Sequence, residues 1–365
     1  LPTRVEDSVH EQAIDEYCYV INVGDSRTYH MRADAEGHWM ADKISDKILL
    51  FFIHVFRFDK KIHDRFRVII KINIIFLRKE SDDDIKEEFY TQGNTCPVRV
   101  VLYDNPDVVP KACILYFHGG GLLYGHSDDL PRTHLERLTS TGYPVASFEY
   151  PLAPAADLRM ILSSVTYSIN HYLCHPEQYV SHKLPYVLFG RSAGAYLCLI
   201  AAAHGVLAEK PAGILSYYGY GFLCDNWFET KSSYYASLPA VSENCLKAIP
   251  SEIHTSGDLD THYSVYVYAR QTGKWKSLIY KGREKFFYLD YSLRTCDFLP
   301  CPLFAAHCTG DPDVPYAEFL ALCDKYHPSR FLCAGNTHDF DRDETSPDTA
   351  KLLDETLAFL KKTVN

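Results

Sequence analysis

From about Glu87 onward the chain alternates between short apolar runs and longer stretches whose apolar residues recur with helical spacing. ACILYF (residues 112–117) is a continuous run that ends in glycines, and PVASFEY (144–150) is a second. The polar segment between them is compatible with a helix. Leu158, Ile161, Leu162, Val165 and Ile169 then fall on one face of a 3.6-residue period, which predicts an amphipathic helix. YVLF (186–189), a small-residue helix after Ser192, ILSYYG (214–219), PLFAAHC (302–308), RFLCAG (330–335) and a closing helix over 350–362 continue the alternation. Such a series predicts an α/β domain: a mostly parallel sheet with helices on both faces.

Two regions depart from it. Residues 221–298 are long, irregular and aromatic, with Trp227, Tyr234, Tyr235 and Trp275, and read as a cap inserted over the site. Residues 1–85 form a separate N-terminal extension. Its apolar run LLFFIHVFRF (49–58) is far short of the roughly 20 residues a bilayer span needs, so no stable membrane span is expected. RFRVIIKINIIFL (65–77) is rich in β-branched residues and predicts a strand. The charge run SDDDIKEE (81–88) reads as a solvated boundary, leaving 86–365 as the main domain.

Composition narrows the function. With 365 residues, 47% of them hydrophobic, the chain can bury a large core. A net charge of −10 argues against nucleic-acid binding, which needs clustered Lys and Arg. The twelve cysteines include no C-x-x-C pair, and Cys113, Cys198, Cys308 and Cys333 sit in apolar surroundings. They read as free thiols in a reducing cytosol rather than as zinc ligands or disulfides. No signal-peptide pattern is seen, and the pattern carries no signal for the oligomeric state.

The chemistry concentrates in four places. GRSAG (190–194) joins an apolar strand to a helix, the setting in which a tight turn lifts a serine hydroxyl clear of the sheet. Ser192 is the candidate nucleophile, and the amide of Ala193 after it is a natural oxyanion donor. His118-Gly119-Gly120-Gly121 follows the strand run 112–117; glycines leave backbone amides free to turn toward a developing negative oxygen. A serine needs a base and the base an orienting acid. Among 17 histidines, His338 stands just beyond the late strand run RFLCAG and is the candidate base. Asp311 and Asp313, beyond PLFAAHC, compete for the acid. Asp311, first after the strand and Gly310, is preferred, and the other reads as a turn or helix-capping residue. Arg191 is expected to point away from Ser192 and pair with an acid on the surface, the alternative being an electrostatic role at the oxyanion.

HGGG, Tyr150-Pro151-Leu152-Ala153-Pro154, GRSAG, DPDVP and the late histidine together resemble the hormone-sensitive-lipase-like esterases of the α/β-hydrolase superfamily, over residues 86–365. The resemblance implies the α/β-hydrolase fold and serine hydrolysis of carboxylic esters without cofactor or metal. It implies oxyanion donors at Gly120, Gly121 and Ala193, a bracing role for His118, and Asp311 as the acid through a D-x-x-V-P turn. The chain departs from the family pattern at Arg191, where an acidic residue is common, at DPDVP, at Asp339, where glycine often follows the histidine, and over 221–298. Small, short-acyl esters are the expected substrates; a peptidase, or a non-catalytic binding protein on the same fold, are the alternatives. A fainter resemblance, VGDSR within YVINVGDSRTY (19–29), is to metal-dependent serine/threonine phosphatases. That chemistry needs aspartates holding two metal ions. The chain has no Asp-Gly pair, so the stretch reads as part of a non-functional extension or of a segment fused from another source.

Overall fold

The computed structural model describes residues 88–364 in full and, before them, only the backbone of the strand segments 20–22, 28–33, 39–43, 51–53, 72–74 and 85–87. Contacts divide the chain into two compact units, 1–82 and 83–365. In the first, Thr28–Ala33 pairs antiparallel with Val20–Asn22 and with Trp39–Lys43, and Phe51–Ile53 pairs with Ile72–Ile74. The strand expected over 65–77 is described only at Ile72–Ile74; VGDSR and most of the run 49–58 lie outside the described residues.

One eight-stranded sheet organises the second unit. Its strands are β1 (Ile85–Thr91), β2 (Val98–Asp104), β3 (Cys113–Phe117), β4 (Val145–Phe148), β5 (Tyr186–Arg191), β6 (Gly213–Tyr217), β7 (Leu303–Cys308) and β8 (Ser329–Cys333). Their order across the sheet is β8-β7-β6-β5-β3-β4-β2-β1. All neighbours from β4 to β8 are parallel, and β2 runs against both β1 and β4. The charge run expected as a solvated boundary enters β1 at Ile85. An edge strand tolerates this, because one side of it carries no partner and charges there discourage further pairing.

Apart from β8, a largely exposed edge strand, the apolar runs are continuous because their strands are buried on both faces. In β3, Cys113, Leu115 and Phe117 join one core cluster while Ile114 and Tyr116 join the other. Helices α1 (Arg132–Thr139), α2 (Leu158–Cys174) and α3 (Ala193–His204) follow β3, β4 and β5. The inserted segment between β6 and β7 holds four helices, α4 (Ser233–Ala236), α5 (Leu259–Thr272), α6 (Trp275–Ile279) and α7 (Glu284–Asp290), so its apparent irregularity resolves into short helices. Helix α8 (Tyr316–Tyr326) links β7 to β8, and α9 (Pro347–Val364) closes the chain. Leucines of α1 and α9 cover one face of the sheet; α2, α3 and the inserted helices share the core on the other. Helix α3 is buried at every position from Ala193 to Ala201, which is why it is apolar all round. No helix among the described residues is long and apolar enough to cross a membrane.

Candidate active site

Residues following the C-terminal ends of β3, β5, β6, β7 and β8 meet around Ser192, at the edge of an open α/β sheet where ligands usually bind. β5 delivers Ser192 through a sharp elbow, with φ 52° and ψ −116° at the serine. A non-glycine residue held there stores roughly 1–3 kcal/mol of backbone strain. The flanking glycines make the turn possible. A Cβ on Gly190 would collide with the backbone of Gly194 and Ala195, and one on Gly194 with the carbonyl oxygens of Phe117 and His118.

The three residues singled out as a triad come together. Ser192 Oγ lies 2.8 Å from His338 Nε2, and His338 Nδ1 lies 2.7 Å from Asp311 Oδ2. The other Asp311 oxygen accepts the amides of Asp313 at 2.8 Å and Val314 at 3.0 Å. Burial alone would raise the Asp311 pKa, but His338 and these amides hold it below the usual carboxylate range. For His338, burial opposes protonation; the Asp311 carboxylate, helped by Asp313 and Asp339, overrides it and lifts the pKa to about 9. The edge of the Tyr218 ring packs on the imidazole, with centroids 4.7 Å apart. Nearby His307 is driven the other way, to about 4, chiefly by burial, and so stays neutral.

The glycine loop after β3 wraps beside the serine. A Cβ on Gly119 would stand 3.5 Å from Ser192 Cβ, so this backbone approaches the serine directly. Gly120 and Gly121 adopt φ 100° and 58°. Their amides and that of Ala193 take no partner among the described residues. Tyr150 Oη donates to the carbonyls of His118 at 2.9 Å and Gly119 at 3.1 Å, and its ring stacks on His118. His118 Nδ1 is 2.8 Å from the Gly119 oxygen, and burial lowers the His118 pKa, so a neutral imidazole braces the loop.

The inserted segment reaches the same loops. Trp275 Nε1 donates to the Gly121 carbonyl at 2.8 Å, and a Cβ on Gly121 would fall inside the Tyr266 ring. Tyr266 Oη also bonds both oxygens of Asp313, at 2.8 and 2.9 Å. Arg270 Nε lies 3.3 Å from Asp313 Oδ1 and its Nη2 donates to the Asp313 carbonyl. Asp313 is therefore no simple turn or capping residue; it is the buried point where α5 joins the acid loop. It stands 3.9 Å from His338 Nε2, on the opposite side of the ring from Asp311.

Arg191 corrects a second expectation. It points away from Ser192 and pairs with acids, but in the interior rather than on the surface. Its guanidinium bonds Asp341 Oδ1 at 3.0 Å and Tyr218 Oη at 2.6 Å, with Asp129 Oδ2 at 3.4 Å. Sequence reasoning missed Tyr218, Tyr266, Arg270 and Asp341, and named Trp275 only as one aromatic residue of the cap. None lies in a motif, and each is brought in by a contact distant in the chain.

Residues 114–277 match a family described as having the α/β hydrolase fold. No curated protein matches the sequence. Among solved structures, a Staphylococcus aureus protein of unknown function is 28% identical, with TM-score 0.64 over 77% of this chain and 100% of its own. An α/β hydrolase superfamily protein from Enterococcus faecalis is 24% identical, with TM-score 0.65 over the same shares. An esterase of the bacterial hormone-sensitive lipase family is 17% identical, with TM-score 0.53 over 79% of this chain and 87% of its own.

Proposed function

This chain has the α/β hydrolase fold, and we propose that it is a serine esterase that cleaves small, short-acyl carboxylic esters through an acyl-enzyme. The observation that carries the reading is the unbroken relay of hydrogen-bond distances from Ser192 Oγ through both nitrogens of His338 to Asp311, set on a strained elbow. The cofactor-free chemistry follows from these residues alone.

In the first step Ser192 Oγ bonds to the ester carbonyl carbon while its proton passes to His338 Nε2. The carbonyl oxygen becomes an oxyanion, held by the amides of Gly120, Gly121 and Ala193. Asp311 keeps Nδ1 protonated, fixing the tautomer whose Nε2 lone pair faces the serine, and stabilises the imidazolium that forms. Collapse of the intermediate breaks the C–O bond to the alcohol, which takes the proton from Nε2 as it leaves. Water then repeats the sequence: its proton goes to Nε2, its oxygen attacks the acyl carbon, and Ser192 Oγ recovers the proton as the acid departs. A cytosolic location belongs to the same proposal and rests on the cysteine pattern.

A panel of p-nitrophenyl esters tests it. Wild type is expected to turn over acetate to butyrate esters faster than long-chain esters, and Ser192→Ala to lose about 10⁶-fold in kcat without losing its fold. Absence of turnover across the panel would refute the esterase reading. Equal turnover by Ser192→Ala would refute the nucleophile.

A further inference from the structure

We infer that the buried Arg191–Asp341 ion pair holds the base loop in register with the nucleophile, so that both are positioning residues for the reaction. The inference rests on the hydrolase reading above. Arg191 is the last residue of β5 and immediately precedes Ser192; Asp341 follows His338 by three positions. One ion pair therefore ties the nucleophile's strand to the loop that carries the base, across 150 residues of sequence.

The loop needs such an anchor. Between Ala334 and Thr345 Asp341 is the one buried residue, and Ala334 to Thr337, which lead into the base, are exposed. Asp341 has no solvent exposure and the Arg191 side chain is 2% exposed. Three side chains from separate elements meet on this carboxylate. Arg191 Nη2 and Tyr218 Oη reach Oδ1 at 3.0 and 2.8 Å, and His134 Nε2 of α1 lies 3.0 Å from Oδ2. Tyr218 also accepts from Arg191 Nε, and its ring edge rests on the His338 imidazole. Asp129 joins the cluster at its rim, 3.4 Å from Arg191 Nη1 and 3.2 Å from Arg342 Nη2.

A buried ion pair adds little net stability, since desolvation offsets the attraction, and an apolar pair of similar volume often does as well. What an apolar pair lacks is directionality. The guanidinium fixes the angle and distance of its partners through planar donors. The charge does not serve the oxyanion, because Asp341 and Asp129 neutralise it and its donors are turned to them. Its consequence for the reaction is geometric: a shift of about 1 Å between nucleophile and base can cost about 10²-fold in rate.

The test is the double variant Arg191→Met/Asp341→Leu, which removes both charges and leaves neither orphaned, beside Arg191→Lys. The double variant is expected to fold with a lowered melting temperature, because the buried Tyr218 hydroxyl and His134 lose their partner, and to keep KM within about threefold, with kcat about 10²-fold lower. Arg191→Lys, which keeps the ion pair, is expected to recover at least tenfold of that loss. A folded double variant with wild-type kcat overturns the inference. If the double variant does not fold, Arg191→Lys and Asp341→Asn, which keep the site filled, carry the same comparison, and wild-type kcat in Asp341→Asn overturns it. The downfield proton resonance of His338 Nδ1–H, identified by its loss in His338→Ala, reads the geometry without substrate. It is expected to shift or broaden in the double variant, or in Asp341→Asn if that is the variant in hand; an unchanged resonance contradicts the inference. A wild type that shows this variant-sensitive resonance but hydrolyses no ester would remove the esterase reading and leave the positioning role standing.

Discussion

Ser192 and Tyr266 border the same glycine loop from different parts of the chain, one from the end of a sheet strand and the other from helix α5 of the inserted segment. The elbow at Ser192 is specified locally. Its strand, its two glycines and its buried helix lie within a few residues of each other, and each is needed for steric reasons that hold in any chain. Tyr266 is specified only by the assembled fold. Its ring fills the space beside Gly121 and its hydroxyl meets Asp313, 145 and 47 residues away in sequence, and no local rule announces either contact. The groups proposed as catalytic on the sheet are thus fixed by backbone geometry, whereas the inserted segment holds the loops between them by side-chain contact.

The two aspartates of DPDVP put this contrast to its largest test. Asp311 belongs to the sheet side and orients His338; Asp313 belongs to the inserted side and meets α5. Asp311→Asn should lower kcat about 10⁴-fold, because the amide donates to Nδ1 and enforces the wrong tautomer. Asp313→Asn should cost less than about tenfold in kcat at the pH optimum, its losses falling mainly on stability, where breaking a buried pair is expensive. Comparable losses of kcat in the two variants would dissolve the distinction.

Gly121→Ala comes next. The new methyl group meets the Tyr266 ring and sits at a φ that L residues rarely adopt, so the glycine loop after β3 must move. A loss of about 10²-fold in kcat is expected, the size of removing one oxyanion donor. Adding Tyr266→Ala should return part of it if the inserted segment sets the loop position; no recovery would assign the defect to the backbone alone.

The smallest effect is on pH dependence. Imidazolium cannot accept the serine proton, so kcat/KM should rise with pH as His338 deprotonates, with its limb near pH 9 rather than 6.5. Asp313 contributes to that elevation, and Asp313→Asn should move the limb toward lower pH, measured by kcat/KM from pH 5 to 10. A limb that stays in place removes Asp313 from the electrostatics of the base.

How much of this was legible in the sequence follows the same division. β3 to β7 were readable as apolar runs, because strands buried on both faces need no polar alternation, and β8 was readable from RFLCAG although it is a largely exposed edge strand. β2, with Arg99 and Asp104 among its valines, was not, and β1 was hidden in a charge run. Helix α5 was illegible because Tyr263, Val265, Tyr266, Val267 and Tyr268 are strand-favouring residues, and tertiary packing overrides that preference. Ser192 and His338 could be chosen by their place after strands. The order of Asp311 and Asp313 along the turn favoured the first, while the burial of the second against α5 could not be seen. The direction of the Arg191 side chain followed from the elbow; its buried partner, 150 residues further on, did not.

Covalent labelling tests the central claim most directly. Incubated with a fluorophosphonate and digested for mass spectrometry, the wild-type protein should carry one adduct per chain, on the peptide containing Ser192, and the adduct should vanish in His338→Ala. No adduct, or an adduct on another residue with Ser192 unmodified, would contradict the account.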